Sequence, residues 1–326
     1  MARLSFPIDN PPDLSVILVS YNTAHLLDRT LSALNTAQAA LKLQIIAVDN
    51  ASRDTSVDLL RKRHPSVELI ENSINVGFAR AINQALRQAL GRYILLLNTD
   101  AFVSPDTLQK TVEFMDTRPQ SGVLGVKLVG PDGTLQPSCR YFPTPWNVFL
   151  ATTGLARFFP ATRLVDDMSW DHASVRECDW VPGCYYLVRR EAFEQVGFFD
   201  PRFFLYYEEV DYCRRVRQAG WSIIYYPFTQ VVHIGGESAV SDASLTQGGR
   251  QISELQLESE LLYFRKHYGA TGVLSAVALT ALGAGMRACS ALVRRFDRAS
   301  AAAAGRHIAT LLSLLVTTRM ASRPTH

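Results

Sequence analysis

Three carboxylates, Glu208, Glu209 and Asp211, stand directly behind the bulky run Phe203 to Tyr207 in the stretch FFLYYEEVDYCRRVRQAGW, residues 203–221. A carboxylate set against an apolar wall is partly desolvated, so its pKa rises toward the range of a useful general base. The same acids also have a purely structural account. If a helix begins near Glu208, then Glu208 and Glu209 occupy its first turn, where the helix dipole favours negative charge. Asp211 is then i, i+3 to Arg214 and i, i+4 to Arg215, the spacing of a surface pair. That account leaves the aromatic run before the acids unexplained.

Two further acids close apolar runs: Asp49 in LQIIAVDN (43–50) and Asp100 in YILLLNTD (93–100). An acid at the end of a strand can accept a hydrogen bond from a ribose or a base. It can also hold a divalent cation against substrate phosphates. Each could instead make a turn, Asp49 before Asn50 and Ser52, Asp100 before Ser104-Pro105-Asp106. Asn75-Val76-Gly77-Phe78-Ala79 opens a helix whose N-terminal amides could face phosphate. The fuller G-x-G-x-x-G and the P-loop pattern are absent, so nicotinamide chemistry is a weak reading. His233, in VVHIGGES, precedes Gly235 and Gly236, which let the backbone bend tightly. A histidine after a strand is more often a core or loop residue, but neutral imidazole is a common ligand for divalent metals.

These residues need a frame that gathers them. LSVILVS (14–20), LQIIAVDN, SVELIEN (66–72) and YILLLNTD are short apolar runs suited to strands buried on both faces of a parallel sheet. Helical patterns separate them: TAHLLDRTLSAL, then DTSVDLLRKRH (54–64) capped by Asp54, then GFARAINQALRQAL (77–90), which Gly91 can stop. Strand alternating with helix predicts an α/β, doubly wound parallel sheet with right-handed crossovers. Ligands of such sheets bind beyond the carboxyl ends of the strands, where Ser20, Tyr21, Asn22, Asp49 and Asp100 all fall.

After residue 120 the pattern changes. GVLGVKLVGPDGTLQPSCRYF reads as two strands joined by a turn at Pro131-Asp132-Gly133. ECDWVPGCYYLVRR (177–190) holds another strand, EAFEQVGFFDPRFF a short helix and a loop, and WSIIYYP and TQVVHIGGES follow the acidic stretch. This half reads as mixed rather than parallel. No linker separates it from the first, so one composite domain to about residue 268 is expected, with halves of about 13–120 and 121–268.

The 326 residues are 48% hydrophobic, enough for a large α/β domain with an appendage. A net charge of +3 is too mild to argue for nucleic acid. Five cysteines, with no C-x-x-C, suggest neither a disulfide framework nor a zinc site and fit a reducing, cytoplasmic compartment. The N-terminal stretch lacks a long apolar core with a cleavage site, so no signal peptide is expected.

The end of the chain is a different material. RQISELQLESELLYFRKHY (250–268) is an amphipathic helix. VLSAVALTALGAGMRACSAL (273–292) nears the length of a membrane span, but Arg287 interrupts it. From there on Arg287, Arg294, Arg295, Arg298, Arg306, Arg319 and Arg323 face only Asp297. Residues 269–326 therefore read as a basic, apolar helical tail, peripheral on an anionic membrane rather than spanning it. The alternative is a helical pair packed on the domain or on a second copy, which leaves a homo-oligomer open.

Taken together, SVILVSYNTAHLL, VDNASRDTS, NVGFARAINQAL, YILLLNTDAFV, FFLYYEEVDYCRRVRQAGW and VVHIGGES, in this order, resemble glycosyltransferase family 2 with the GT-A fold, and more narrowly its bacterial rhamnosyltransferase-like branch. The resemblance covers roughly residues 13–268. It implies an inverting, single-displacement transfer from a nucleotide-sugar donor, with dTDP-rhamnose the best match, to a saccharide or lipid-linked acceptor in cell-surface polysaccharide synthesis, at the inner face of the membrane. By the same resemblance Asp49 contacts the nucleoside, and Asn98-Thr99-Asp100 stands where the family carries a D-x-D metal motif. Asp100 would be the main carboxylate ligand for Mg²⁺ or Mn²⁺, and His233 the second ligand. Glu208 or Glu209 would be the base, with Asp211 supporting the site or bonding the acceptor. Two other classes remain: a nucleotide-sugar-binding protein without catalysis, suggested by Asn98, and a glycoside hydrolase, which needs two acids set across a sugar.

Overall fold

The structure, a computed structural model, describes residues 11–235, 245, 251–295 and 297–326. The first ten residues of the stretch read for a leader, the Gly236-Glu237-Ser238 end of the last motif and the side chains of Arg294 and Arg295 lie outside the described residues.

The apolar runs form strands and the periodic segments form helices. In chain order the strands are β1 (Leu14–Ser20), β2 (Leu43–Asp49), β3 (Glu68–Glu71), β4 (Tyr93–Asn98), β5 (Ala101–Val103), β6 (Ser121–Val129), β7 (Leu135–Gln136), β8 (Arg176–Glu177), β9 (Tyr185–Arg189) and β10 (Ser222–His233). The helices are α1 (Ala24–Ala37), α2 (Ser56–Arg63), α3 (Phe78–Leu86), α4 (Thr107–Asp116), α5 (Pro145–Thr153), α6 (Arg190–Val196), α7 (Glu208–Gln218), α8 (Ile252–Arg295) and α9 (Arg298–Thr317).

Strand β1 shows why its sequence is apolar throughout. Ile17 packs into a core shared with Ala81 and Ile82 of α3, while Val16 and Leu18 point the other way, into a core shared with Leu27 and Leu31 of α1. A strand with a helix layer on each face has no side to give to water.

The sheet runs β3-β2-β1-β4-β9-β6-β10-β5, with β7 on β6 and β8 on β10. Its first four strands are parallel, β9 is antiparallel to both neighbours, and β6 and β10 are parallel again. This is the mixed second half that the sequence predicts.

The sheet cannot be flat. Strand β5 follows β4 after only Thr99 and Asp100, yet three strands stand between them. Four strand spacings would cover about 19 Å, whereas three residue steps of extended chain reach about 11 Å. The sheet therefore curls. The pairing of β10 with β6 breaks register between Tyr226 and Gln230, where Pro227 interrupts the ladder, and only the residues beyond the break pair with β5. WSIIYYP and TQVVH are thus one bent strand rather than two. Curling brings His233, the last residue of β10, over the end of β4.

Two local expectations change. Helix α3 ends at Leu86, well before Gly91. Gly91 serves close approach instead: a Cβ there would lie 2.4 Å from the backbone nitrogen of Ser15. The pair Asp211–Arg215 is not a surface pair, because Asp211 is fully buried.

Helix α8 breaks at Gly269 (φ 70°, ψ −163°). Its first segment buries Leu261, Leu262, Tyr263 and Phe264 against α7 and the sheet. Val273 and Ala276 of the second segment and Leu311 and Leu314 of α9 join the same core. The chain then returns, and the Thr325 amide and hydroxyl donate to the two carboxylate oxygens of Glu258 at 2.6 and 2.8 Å. Part of the tail is therefore bound into the domain.

Candidate active site

The carboxyl ends of β1, β2, β4 and β10 share one edge, and a cleft of ≈ 320 Å³ opens there. Its walls take residues from both halves of the chain.

One wall is the end of β4 with the end of β10. Asn98, Thr99, Asp100 and His233 line it. The Ile234 amide donates to the Asp100 carbonyl and the Gly235 amide to Asp100 Oδ2, both at 3.1 Å. With Oδ2 engaged, Asp100 Oδ1 faces His233 Nε2 at 3.6 Å. That nitrogen is buried and has no hydrogen-bond partner among the described residues, while Nδ1 lies 2.9 Å from Gln136 Oε1. Burial holds the imidazole below its ordinary pKa against the pull of the Asp100 charge, so the ring is neutral. A carboxylate oxygen and a bare imidazole nitrogen with nothing positive between them suit a divalent cation. Among the described residues no set of three or more His, Cys, Asp and Glu side chains is grouped to hold a metal. The remaining ligands would have to be phosphate, water or amide oxygen.

The second wall carries Tyr21, Asn50, Asn75 and Gly77. Asn50 Oδ1 accepts from the Val76 amide at 3.0 Å, and its Nδ2 donates to Asn75 Oδ1 at 2.7 Å. The two amides thus hold the loop before α3 against the end of β2. Gly77 sits at φ 84°, and a Cβ there would meet Phe204 at 2.7 Å. Its absence lets the Phe78 amide donate to the Phe204 carbonyl at 2.7 Å, which joins this wall to the third. Asp49 lies behind Asn50. Its Oδ1 accepts from the Ser52 amide at 2.9 Å, and its Oδ2 is buried without a partner. Burial pushes its pKa up. Ser20 and Asn22 do not line the cleft. The Ser20 hydroxyl bonds Thr23 at 3.1 Å, and Asn22 Oδ1 takes the Arg53 amide at 2.7 Å, so both stitch loops together.

The third wall is the turn into α7. Tyr206 and Tyr207 both adopt left-handed backbone, at φ 67° and 68°. Such a conformation costs about 1–3 kcal/mol per non-glycine residue and persists only when surroundings enforce it. Helix α8 enforces it here: the Ser259 hydroxyl donates to the Leu205 carbonyl at 2.9 Å, and the Tyr207 hydroxyl to Glu260 at 3.0 Å. The turn aims Glu208 and Glu209 into the cleft, and each has one buried oxygen without a partner. Burial, then the charge of Glu209, pushes Glu208 well above the usual carboxylate range. Burial also raises Glu209, but backbone amides and the charge of Arg140 oppose it. Two charges this close and this buried disfavour each other, and the opposing backbone amides and Arg140 lean the charge toward Glu209 and the proton toward Glu208.

Asp211, one turn along α7 from Glu208, does not line the cleft. Arg215 reaches it at 3.0 Å, Lys266 at 2.6 Å and His267 at 2.8 Å. Burial would raise its pKa, but these three partners hold it below the ordinary value. It is fully buried among these partners.

Sequence reasoning missed several polar residues of the site, Arg140 and Gln136 among them. Arg140 lines the cleft, stacked 4.1 Å over the Trp180 ring and paired with Asp166. Gln136 stands behind His233. Neither sits in a motif, and nothing in PDGTLQPSCRYF marks them. Only the curl of the sheet puts them here.

Comparison with known proteins agrees with this geometry. Residues 15–215 match the family described as glycosyl transferase family 2. The chain is 30% identical over 243 residues to an N-acetylglucosaminyl-diphospho-decaprenol L-rhamnosyltransferase of Mycobacterium tuberculosis (strain ATCC 25618 / H37Rv), covering 70% of this chain and 78% of that relative. Among solved structures, the mannosyltransferase PcManGT of Pyrobaculum calidifontis, in complex with GDP-Man and Mn²⁺, superposes with a TM-score of 0.53 at 18% identity, over 95% of this chain and 88% of that one. GalNAc-T7 with UDP, GalNAc and Mn²⁺ gives a TM-score of 0.56 at 15% identity, over 97% and 59%. Both likenesses are of fold, and the fold is GT-A.

Proposed function

Because the chain belongs to glycosyl transferase family 2 and is a glycosyltransferase, we propose that it moves a sugar, with inversion, from a nucleotide-sugar donor to a hydroxyl of a saccharide or lipid-linked saccharide in cell-surface polysaccharide synthesis. The observation that carries this is the cleft itself. An Asp100–His233 pair suited to a cation and two buried carboxyls, Glu208 and Glu209, with raised pKa values face the same space from two walls.

The roles follow from the walls. Tyr21 offers a flat ring to the nucleobase, and Asn50 lies between the cleft and the buried Asp49, the acid expected at the nucleoside. Asn75 and Gly77, at the start of α3, lie toward the donor phosphates. Asp100 and His233 would hold Mg²⁺ or Mn²⁺, with Asn98 and Thr99 beside them. When bound, the cation neutralises the charge that gathers on the departing diphosphate. Glu209 takes the proton of the acceptor hydroxyl as that oxygen bonds the anomeric carbon and the bond to the diphosphate oxygen breaks. Glu208, which burial and the charge of Glu209 push further toward the protonated form, is not assigned that step. Two adjacent acids on one helix do not provide the opposed pair that sugar hydrolysis needs.

Rhamnose from dTDP-rhamnose is the favoured donor, since the Mycobacterium relative is named an L-rhamnosyltransferase. A panel of nucleotide sugars incubated with the purified protein, scored by nucleoside diphosphate release, tests this. Preference for another donor would overturn the rhamnose assignment, and no release from any would overturn the transferase cycle drawn above.

The tail supports a membrane contact. Two helices, within Ile252–Val293 and Arg298–Thr317, are long and apolar enough to cross a membrane by length and composition. Their inner faces pack on the domain, while Leu282, Leu292, Val293, Leu312 and Val316 are exposed beside the exposed Arg287, Arg298 and Arg306. Apolar surface interleaved with arginine suits peripheral binding to anionic lipid at the cytoplasmic face, where a lipid-linked acceptor would be presented.

A further inference from the structure

The side-chain amide of Gln136 meets His233 twice. Its Nε2 lies 2.8 Å from the His233 carbonyl oxygen, and its Oε1 lies 2.9 Å from His233 Nδ1. A backbone carbonyl only accepts, so the amide nitrogen must be the atom that faces it. The amide cannot be turned over without losing that bond. Oε1, which also only accepts, must then face a hydrogen, so Nδ1 carries the ring proton. In a neutral imidazole the other nitrogen, Nε2, is then a bare acceptor.

Nε2 is the atom that faces Asp100 Oδ1 at 3.6 Å with no partner of its own. Two acceptors opposed at that distance repel unless a positive charge stands between them. The competing arrangement is easy to draw. With the proton on Nε2, the ring would donate to Asp100, and the pair would satisfy itself and offer no lone pair to a cation. The Asp100 charge favours that closed state. Something must oppose it, and the only polar side chain recorded on Nδ1 among the described residues is Gln136.

The fold holds Gln136 firmly for this. It ends the two-residue strand β7, paired with Leu128 of β6. The Ser138 hydroxyl donates to its carbonyl at 2.9 Å and accepts from the Leu128 amide at 3.1 Å. The turn at Pro131-Asp132-Gly133 that returns the chain to β7 is closed by the Gly130 amide on the Thr134 carbonyl at 2.8 Å.

We propose that Gln136 is a positioning residue that locks His233 in the Nδ1–H tautomer and thereby keeps the Asp100–His233 pair open for a divalent cation. The inference rests on the reading of that pair as the cation's protein ligands. Partners on the second nitrogen of a ligating histidine commonly carry a 10–100-fold effect on metal affinity.

The test uses the full chain and reads the ring directly. In ¹⁵N-histidine NMR without metal, wild-type His233 should show Nδ1 protonated and Nε2 bare. Gln136→Leu should shift it toward Nε2–H, and Gln136→Glu, which still accepts from Nδ1–H, should leave it as in wild type. Mn²⁺ alone, titrated by loss of its free electron paramagnetic resonance signal, should bind Gln136→Leu about 10–100-fold more weakly and Gln136→Glu within a few-fold of wild type. Wild-type His233 protonated on Nε2 would overturn the proposal, as would unchanged Mn²⁺ affinity in Gln136→Leu when His233→Ala has lost it. Unchanged affinity in His233→Ala would instead overturn the ligand assignment on which the proposal rests.

Discussion

Lys266 places its Nζ 2.6 Å from Asp211 Oδ1, and through that contact α8 grips α7, whose first turn carries Glu208 and Glu209. Lys266 also reaches Asp200 at 2.8 Å, which Arg202 holds at 2.6 Å, so the loop before the acids is tied to the same point. Removing one partner of a buried charge network leaves the others uncompensated, at a cost of about 3–5 kcal/mol. Asp211→Ala should therefore lower stability by that order in chemical denaturation, while nucleotide affinity of the remaining folded protein stays near wild type. A variant that keeps its stability but loses turnover would return Asp211 to the chemistry.

Asp211 and Glu208, one turn apart on α7, should respond to pH with opposite sign. Asp211 has a folded pKa below its ordinary 3.8, so its stabilisation is present above that value and is lost as pH falls through the folded one. Glu208 has a folded pKa raised above its ordinary 4.5, so stability is greatest below 4.5 and declines as pH rises toward the folded value. Glu208→Gln should melt higher than wild type at neutral pH, with the difference shrinking toward pH 4.5. A melting difference that does not change across this range would mean that Glu208 carries no displaced proton.

Glu209→Gln keeps size and hydrogen bonding but removes the base. Turnover should fall by about 10²–10⁴-fold with donor affinity nearly unchanged, because the base acts on the acceptor. Glu208→Gln, which mimics the protonated state, should cost far less. The comparison needs transfer rates and nucleotide affinities for both variants. The reverse ranking would exchange their roles, and collapse of nucleotide affinity in either would move the acids to the donor side.

Chelation should silence transfer. EDTA is expected to abolish it and added Mg²⁺ or Mn²⁺ to restore it, since Asp100 and His233 offer two ligands and the donor phosphates offer more. Asp100→Ala with full activity in EDTA would remove the cation from the cycle.

Cutting the chain near Gly269 would be a poor test of membrane binding, because Val273, Ala276, Leu311 and Leu314 belong to the domain core. Replacing the exposed Leu282, Val293 and Val316 with glutamate leaves that core intact. Flotation with vesicles containing anionic phospholipid should show binding lost, while transfer to a soluble acceptor persists. Wild-type flotation by the triple variant would place the contact elsewhere.

Sequence alone carries the local half of this protein. Continuous apolar runs became strands with a helix on each face, and Asp49 at the end of β2 and Asp100 two residues past β4 lie at the carboxyl edge because strand polarity in a parallel sheet leaves no other choice. The acidic start of α7 was legible too, from its charges and the aromatic run before them. These features depend on periodicity and direction, which a single stretch contains.

What the stretch could not contain was the partner across space. Asp211 read as a surface acid because Arg215 is its neighbour in sequence, but Lys266 and His267, which bury it, come from a helix folded on later. Glu208 and Glu209 look equivalent in sequence and differ because backbone amides and the charge of Arg140 oppose the rise at Glu209. The Asp100–His233 gap and the amide of Gln136 behind it exist because β10 breaks register and the sheet curls over the end of β4. Ionisation and tautomer answer to the nearest few ångströms of charge and hydrogen bonding, and tertiary structure alone decides which atoms fill them.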